Sequence, residues 1–119
     1  MTQQEARDFG AAWVAAWNGH DLDEILEHYA DGIELTSPLI PSFAGEASGV
    51  LKGKDAVENY WAQALTMIPD LQFELIDVFS GMGSVVIVYK APFNRRGAEI
   101  MEFGPNGKVV RAIAHYSET

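Results

Sequence analysis

Glu99 lies in a strand-like run, Ala98 to Phe103, where alternation puts Met101 and Phe103 on its own side and Ile100 and Glu102 on the other. A carboxyl among such neighbours loses hydration and its pKa rises. It can then donate a proton or a hydrogen bond near neutrality, or act as a general acid or base. The competing reading is a solvated glutamate near Arg95 and Arg96, and the residue pattern leaves both open. Asp77, set between Ile76 and Val78, faces either a pocket or water. Trp13 and Trp17 carry indole N–H donors, which can orient a ligand but cannot accept a proton. His20 falls in a turn, His28 on a charged helix side and His115 on a strand, with no second histidine at ligand spacing. No metal site is expected. The chain has no cysteine, which removes disulfides, thiolate nucleophiles and cysteine metal sites. It also has no glycine-rich phosphate loop, nucleophile elbow or triad, and the expectation is a protein without a cofactor.

Three helices and a set of strands must position these groups. Ala6, Phe9, Trp13, Ala16 and Trp17 recur at helical spacing from about Thr2 to Asn18, where Asn18-Gly19 is a stop signal. Asp21 and Glu24 form a capping-box pattern for a second, short helix with Leu22, Ile25, Leu26 and Tyr29 as its buried stripe. A third helix spans about Asp55 to Met67, buries Val57, Tyr60, Trp61, Ala64 and Leu65, and stops before Pro69. Between the second and third lie a short strand, Gly32 to Ser37, and a loop, Pro38 to Gly53, rich in glycine and proline. Phe43 at its centre is a candidate lid residue, although a tolerated insertion fits the same composition.

After Pro69 the period changes to two. Leu71–Phe79, Ser84–Ala91, Ala98–Phe103 and Lys108–Tyr116 are β candidates, separated at Gly81-Met82-Gly83, Asn94-Arg95-Arg96-Gly97 and Gly104-Pro105-Asn106-Gly107. Short turns join antiparallel neighbours, so these four form a meander. On the last strand Ala112, Ala114 and Tyr116 share a face opposite Arg111, Ile113 and His115. Helices gathered first and strands gathered last predict a single α+β domain over residues 1–119. Its curved antiparallel sheet, a cone-like half-barrel, is covered by three helices from the N-terminal half and encloses an apolar pocket. Trp13, Trp17, Tyr29, Tyr60 and Trp61 from the helices and Met101, Phe103 and Tyr116 from the strands would line that pocket or simply fill a core.

The 119 residues suit one domain, since domains commonly run about 100–150 residues. The net charge is −9 and uneven: residues 1–46 hold nine acids against Arg7 alone. Such a surface repels phosphate backbones and anionic headgroups, so neither nucleic acid nor membrane is an expected partner. The first residues carry no secretion-like apolar stretch, and no run approaches the roughly 20 apolar residues a bilayer crossing needs. A cytoplasmic location is the expectation.

The segments WVAAWNGHDLDEILEHYADGIELTSP, GVLKGKDAVENYWAQAL and MEFGPNGKVVRAIAHY together resemble the nuclear-transport-factor-2-like superfamily. The nearest likeness is to its SnoaL-like and ketosteroid-isomerase-like branches. That resemblance implies a cofactor-independent enzyme that isomerises, cyclises or dehydrates an apolar carbonyl compound, or a non-catalytic binding or dimerisation domain. Glu99, ahead of Phe103, matches the isomerases' protonated oxyanion-hole acid, and Trp13 matches their first-helix tyrosine. Ser37 stands where their proton-shuttling aspartate would be, and a hydroxyl cannot perform that shuttle, which argues against steroid isomerisation. The epoxide hydrolases' aspartate–arginine–aspartate set has no clear counterpart. A homodimer through the outer sheet face is also implied, with Val86, Val88, Ile100 and Ile113 as its apolar surface.

Overall fold

The computed structural model describes residues 1–118. Helix α1 (Gln3–Asn18) starts on a closed capping box. The Glu5 amide donates to the Thr2 hydroxyl, and the Thr2 amide donates to the Glu5 carboxylate. Its buried stripe is Ala6, Gly10, Trp13, Ala16 and Trp17. Asp21 caps α2 (Leu22–Leu26), its carboxylate accepting from the Glu24 amide. The helix ends there, so Tyr29 is not part of its stripe: it opens strand β1 (Tyr29–Thr36). Tertiary contacts decide this. The Trp13 indole donates to the Tyr29 hydroxyl at 2.9 Å, and the Trp61 ring lies 4.9 Å away, centroid to centroid.

The segment expected as a loop, Pro38 to Gly53, carries structure of its own. A one-turn helix α3 (Ile40–Phe43) has Pro41 in its first turn, where a missing N–H costs nothing, and fully buried Ile40 anchors it. Strand β2 (Val50–Lys52) then pairs antiparallel with β1. Helix α4 (Lys54–Met67) buries Val57, Tyr60 and Trp61 and stops before Pro69 as expected.

The remaining strands are β3 (Glu74–Ser80), β4 (Ser84–Ala91), β5 (Arg95–Phe103) and β6 (Val109–Tyr116). The turn between β4 and β5 falls earlier than Asn94–Gly97. Arg95 pairs with Ala91 and Arg96 with Lys90, so the chain reverses at Pro92-Phe93-Asn94. Phe93 and Asn94 adopt φ of 63° and 61°, a left-handed pair that matches the twist of a tight hairpin. Gly97 is therefore inside a strand, where glycine marks a close approach of something else.

The six strands are ordered β2-β1-β6-β5-β4-β3. The last four form the expected meander, with β1 beside β6. That one pair runs parallel, with Leu35 opposite Ala112 and Thr36 opposite Ile113, while every other pair is antiparallel. The sheet is curved and unclosed, with β2 and β3 at its edges. Helix α1 packs across β3, and α4 packs across β1. Gly10 lets α1 come close: a Cβ there would sit 2.9 Å from a Val78 methyl. The two helices thus cover opposite flanks of the concave face and leave room between them. On the convex face Val86, Ile100 and Ile113 form one cross-strand row, each half-buried, with Val88 also half-buried in β4. Among the described residues no helix is long and apolar enough to cross a membrane.

Candidate active site

A cavity of about 360 Å³ opens between α4, α3 and the concave face of the sheet. That volume lies within the range of pockets that take small molecules. Its walls are largely apolar: Trp17, Leu35, Leu39, Trp61, Ala64, Ile68, Leu71, Phe73 and Ala114 contribute, and Phe43 and Phe93 stand exposed at its rim. The polar lining is Ser37, Ser42, Tyr60, Arg95, Glu99 and Tyr116.

Glu99 is placed on the inner face of β5 by strand alternation, and is 7% exposed. The Tyr89 hydroxyl, from the neighbouring β4, donates to Glu99 Oε1 at 2.8 Å. Among the described residues no cation lies within ion-pair range of Glu99. Burial pushes the carboxyl up to about 7, and the Tyr89 hydrogen bond only partly offsets it. Near neutral pH both forms are then populated, one able to donate a hydrogen and the other to accept a proton.

Gly97 makes this arrangement possible. It faces Tyr89 across β4 and Tyr116 across β6, and its missing side chain is the space the Tyr89 ring fills. A Cβ at Gly97 would lie 2.7 Å from the Tyr89 hydroxyl oxygen and closer still to Cζ. The ring cannot swing away, because it is fully buried against Trp13 (5.0 Å) and Phe73 (4.7 Å). Gly97→Ala is therefore expected to destabilise the fold by about 1–3 kcal/mol through overpacking. A urea melt of the variant checks it, and an unchanged midpoint would mean the ring relocates freely.

Of the tyrosines near the carboxyl, Tyr89 is bonded to it and Tyr60 and Tyr116 line the cavity beside it. Burial, with a smaller contribution from the Glu99 charge, holds the hydroxyls of Tyr89 and Tyr116 well above their ordinary value, and burial raises that of Tyr60. They stay protonated and are able to donate, as the Tyr89 hydroxyl does to Glu99. Ser37 is buried and lies within interaction range of Tyr60 and Tyr116, and its hydroxyl accepts from the Leu39 amide at 3.2 Å.

Of the residues expected to line a pocket, Glu99, Trp17, Ser37, Phe43, Tyr60, Trp61 and Tyr116 meet in this cavity. Trp13, Tyr29, Met101 and Phe103 do not line it. The Trp13 N–H is spent on Tyr29, Met101 is fully buried in the core, and the Phe103 ring packs edge-on against Phe9 at 5.0 Å. Asp77 is exposed at an irregularity in β3, its carboxylate accepting from the Val78 amide. His20 reaches the Leu71 carbonyl at 2.7 Å, and His28, half-buried against Phe9, has its ring pKa lowered chiefly by burial. His115 is exposed. No group of three or more histidine, aspartate or glutamate side chains able to hold a metal occurs among the described residues.

Sequence reasoning missed Phe73, Leu71, Phe93 and Arg95 as lining and Tyr89 as the partner of Glu99. For Tyr89 the signal was present: Val85, Ile87, Tyr89 and Ala91 alternate inward, and a glycine two residues before Glu99 invites a ring from next door.

An open, curved sheet closed on its concave side by helices, with a carboxyl set in an apolar hollow, defines a small α+β pocket protein. The chain belongs to the SnoaL-like domain family, whose model matches residues 11–117. A SnoaL-like protein of unknown function from Burkholderia thailandensis is 52% identical, with a TM-score of 0.94 over 98% of this chain and 97% of that one. SalBIII, described as an epoxide hydrolase/cyclase-like enzyme in pyran ring formation in the polyether salinomycin, is 19% identical. Its TM-score is 0.74, over 97% of this chain and 92% of that one. A putative isomerase of the SnoaL-like family from Agrobacterium tumefaciens is 15% identical, with a TM-score of 0.76 over 98% and 99%. These last two share the fold alone. No curated protein matches the chain.

Proposed function

We propose that the protein is a cofactor-independent enzyme that moves a proton on an apolar, carbonyl-bearing small molecule, with Glu99 as its acid/base group. The observation that carries this reading is a buried carboxyl, held by Tyr89 and poised near neutrality, on the wall of an apolar cavity. A carbonyl seated there meets neutral hydroxyls from Tyr60 and Tyr116 as donors to its oxygen. Ionised Glu99 takes a proton from the adjacent carbon and returns it elsewhere on the molecule, which is an isomerisation. Departure of a β-hydroxyl, which leaves as water with the proton held by Glu99, gives dehydration. Attack of the enolate carbon on a second carbonyl of the same molecule, whose oxygen takes that proton, gives cyclisation. Solved neighbours described as cyclase-like and as a putative isomerase are in keeping with this chemistry. Trp13 takes no part in ligand orientation in this scheme, since its donor is already used.

A non-catalytic binder of an apolar ligand is the second reading, favoured by the single carboxyl in the lining and by Ser37 in place of a second acid. Titrating the Glu99 side-chain carboxyl carbon by NMR separates the two. A midpoint near 7 is expected for the enzyme, whereas a midpoint at the solution value of 4.5 would leave only the binder. We also propose a homodimer through the convex face, supported by the apolar row of Val86, Ile100 and Ile113.

A further inference from the structure

The cavity lining contains one carboxyl and one guanidinium, Glu99 deep inside and Arg95 toward the opening. Both sit on the inner face of β5, four residues apart, so their Cα atoms are on the order of 13 Å from one another. Arg95 is half-buried, next to Phe93 and Pro92 of the turn that forms the rim. Among the described residues no carboxylate lies within ion-pair range of it. The two ion pairs among the described residues, Lys54–Asp31 and Arg111–Glu102, lie outside the cavity. A guanidinium with no carboxylate partner among the described residues, bordered by aromatic rings at the mouth of an apolar hollow, is a ready site for a planar oxyanion.

We propose that the ligand of this cavity is an elongated apolar molecule ending in a carboxylate, which Arg95 binds at the rim while the carbonyl end lies against Glu99. This rests on the cavity being a ligand site, as in the function proposed above, and adds the chemistry of the far end. The spacing along β5 sets the separation of the two ends at on the order of 10 Å. The overall charge of −9 works against any anion, but fields from exposed charges fade beyond about 8–10 Å at ordinary salt. At the rim the nearest cation therefore decides. Arg96, the next residue, is exposed on the other face of β5, and its amide donates to the Ser117 hydroxyl. It provides a control with the same charge in the wrong place.

The test uses 8-oxo-8-phenyloctanoate and its methyl ester as probes, with quenching of Trp17 and Trp61 fluorescence as the readout at pH 6, where Glu99 is mostly neutral. The acid is expected to bind roughly tenfold more tightly than the ester, the scale of one charge-assisted contact. Arg95→Gln should bring the two within about twofold, Arg95→Lys should keep part of the preference, and Arg96→Gln should keep all of it. Equal binding of acid and ester by the native chain would overturn the proposal while leaving an apolar ligand site intact. An acid preference that survives Arg95→Gln would overturn it as well. If neither probe enters, this proposal and the cavity's role in ligand binding fall together, whereas turnover in Glu99 variants tests the acid/base assignment independently.

Discussion

Glu99→Gln is expected to lower turnover by about 10²–10⁴-fold, the range that a positioned acid/base group contributes. The substitution is close to isosteric. The amide oxygen of glutamine can still accept the Tyr89 hydroxyl bond that Oε1 now accepts at 2.8 Å, so the wall of the cavity should hold its shape. What disappears is the ability to take up and release a proton near neutrality. Ligand affinity should change much less than turnover, because the apolar walls contributed by Trp17, Trp61, Leu71 and Phe73 are untouched. A loss confined to kcat identifies a group acting on the reacting atoms. Turnover equal to that of the native chain would remove Glu99 from the chemistry.

The second large effect is on stability. Glu99 ionises near 4.5 when the chain is unfolded and near 7 when it is folded. Between those values the folded chain holds one more proton than the unfolded chain, so stability falls as pH rises through that interval. Below 4.5 the contribution is fully present, and above about 7 it is gone, a difference of about 3 kcal/mol. His28 acts in the opposite sense, since burial lowers its folded value from 6.5. Comparing the native chain with Glu99→Gln cancels that contribution. The glutamine variant should lack the carboxyl-dependent loss and melt higher at pH 8, on the order of 10 °C for a domain of this size. Matching melting curves for the two proteins at pH 5 and at pH 8 would show that the carboxyl is not buried in solution.

Such a cost is what a working group in an apolar site entails. A leucine at position 99 would satisfy the core better, and the alternation that predicts an inward residue there would look no different. The sequence made the inward direction of Glu99 legible through Met101, and the structure places that methionine deep in the core on the same face. It also made α1, α4 and the full span of β4 legible, since each has an uninterrupted period and a clear boundary signal. It hid what depends on register. That Tyr89 serves Glu99 follows from Ile87 standing opposite Glu99 and Tyr89 opposite Gly97, and no spacing within one strand reveals a diagonal across two.

The other losses have local causes. Reading Gly97 as a turn residue followed from its familiar role beside Asn94, when Phe93 and Asn94 supply the left-handed pair instead. That misplacement shortened β5 and put Arg95 in the turn, not in the strand that lines the cavity. Tyr29 fitted the helical stripe of α2 by spacing, but a bond from a residue in α1 drew it into the sheet. In Pro38–Gly53 a single turn of helix and three residues of strand were too short to show a period, and the prolines and glycines dominated the signal.

The parallel pairing of β1 with β6 has a bearing on how the molecule assembles. Leu35 and Ala112 are neighbours in space but about 77 positions apart along the chain, and closing so large a loop carries an entropic cost before any contact repays it. Until β6 arrives, β1 has only the three-residue β2 beside it, and the hollow lacks the wall that Ala114 and Tyr116 provide. The meander can form from local contacts, but the cavity is completed only in the step that joins the two halves of the sheet.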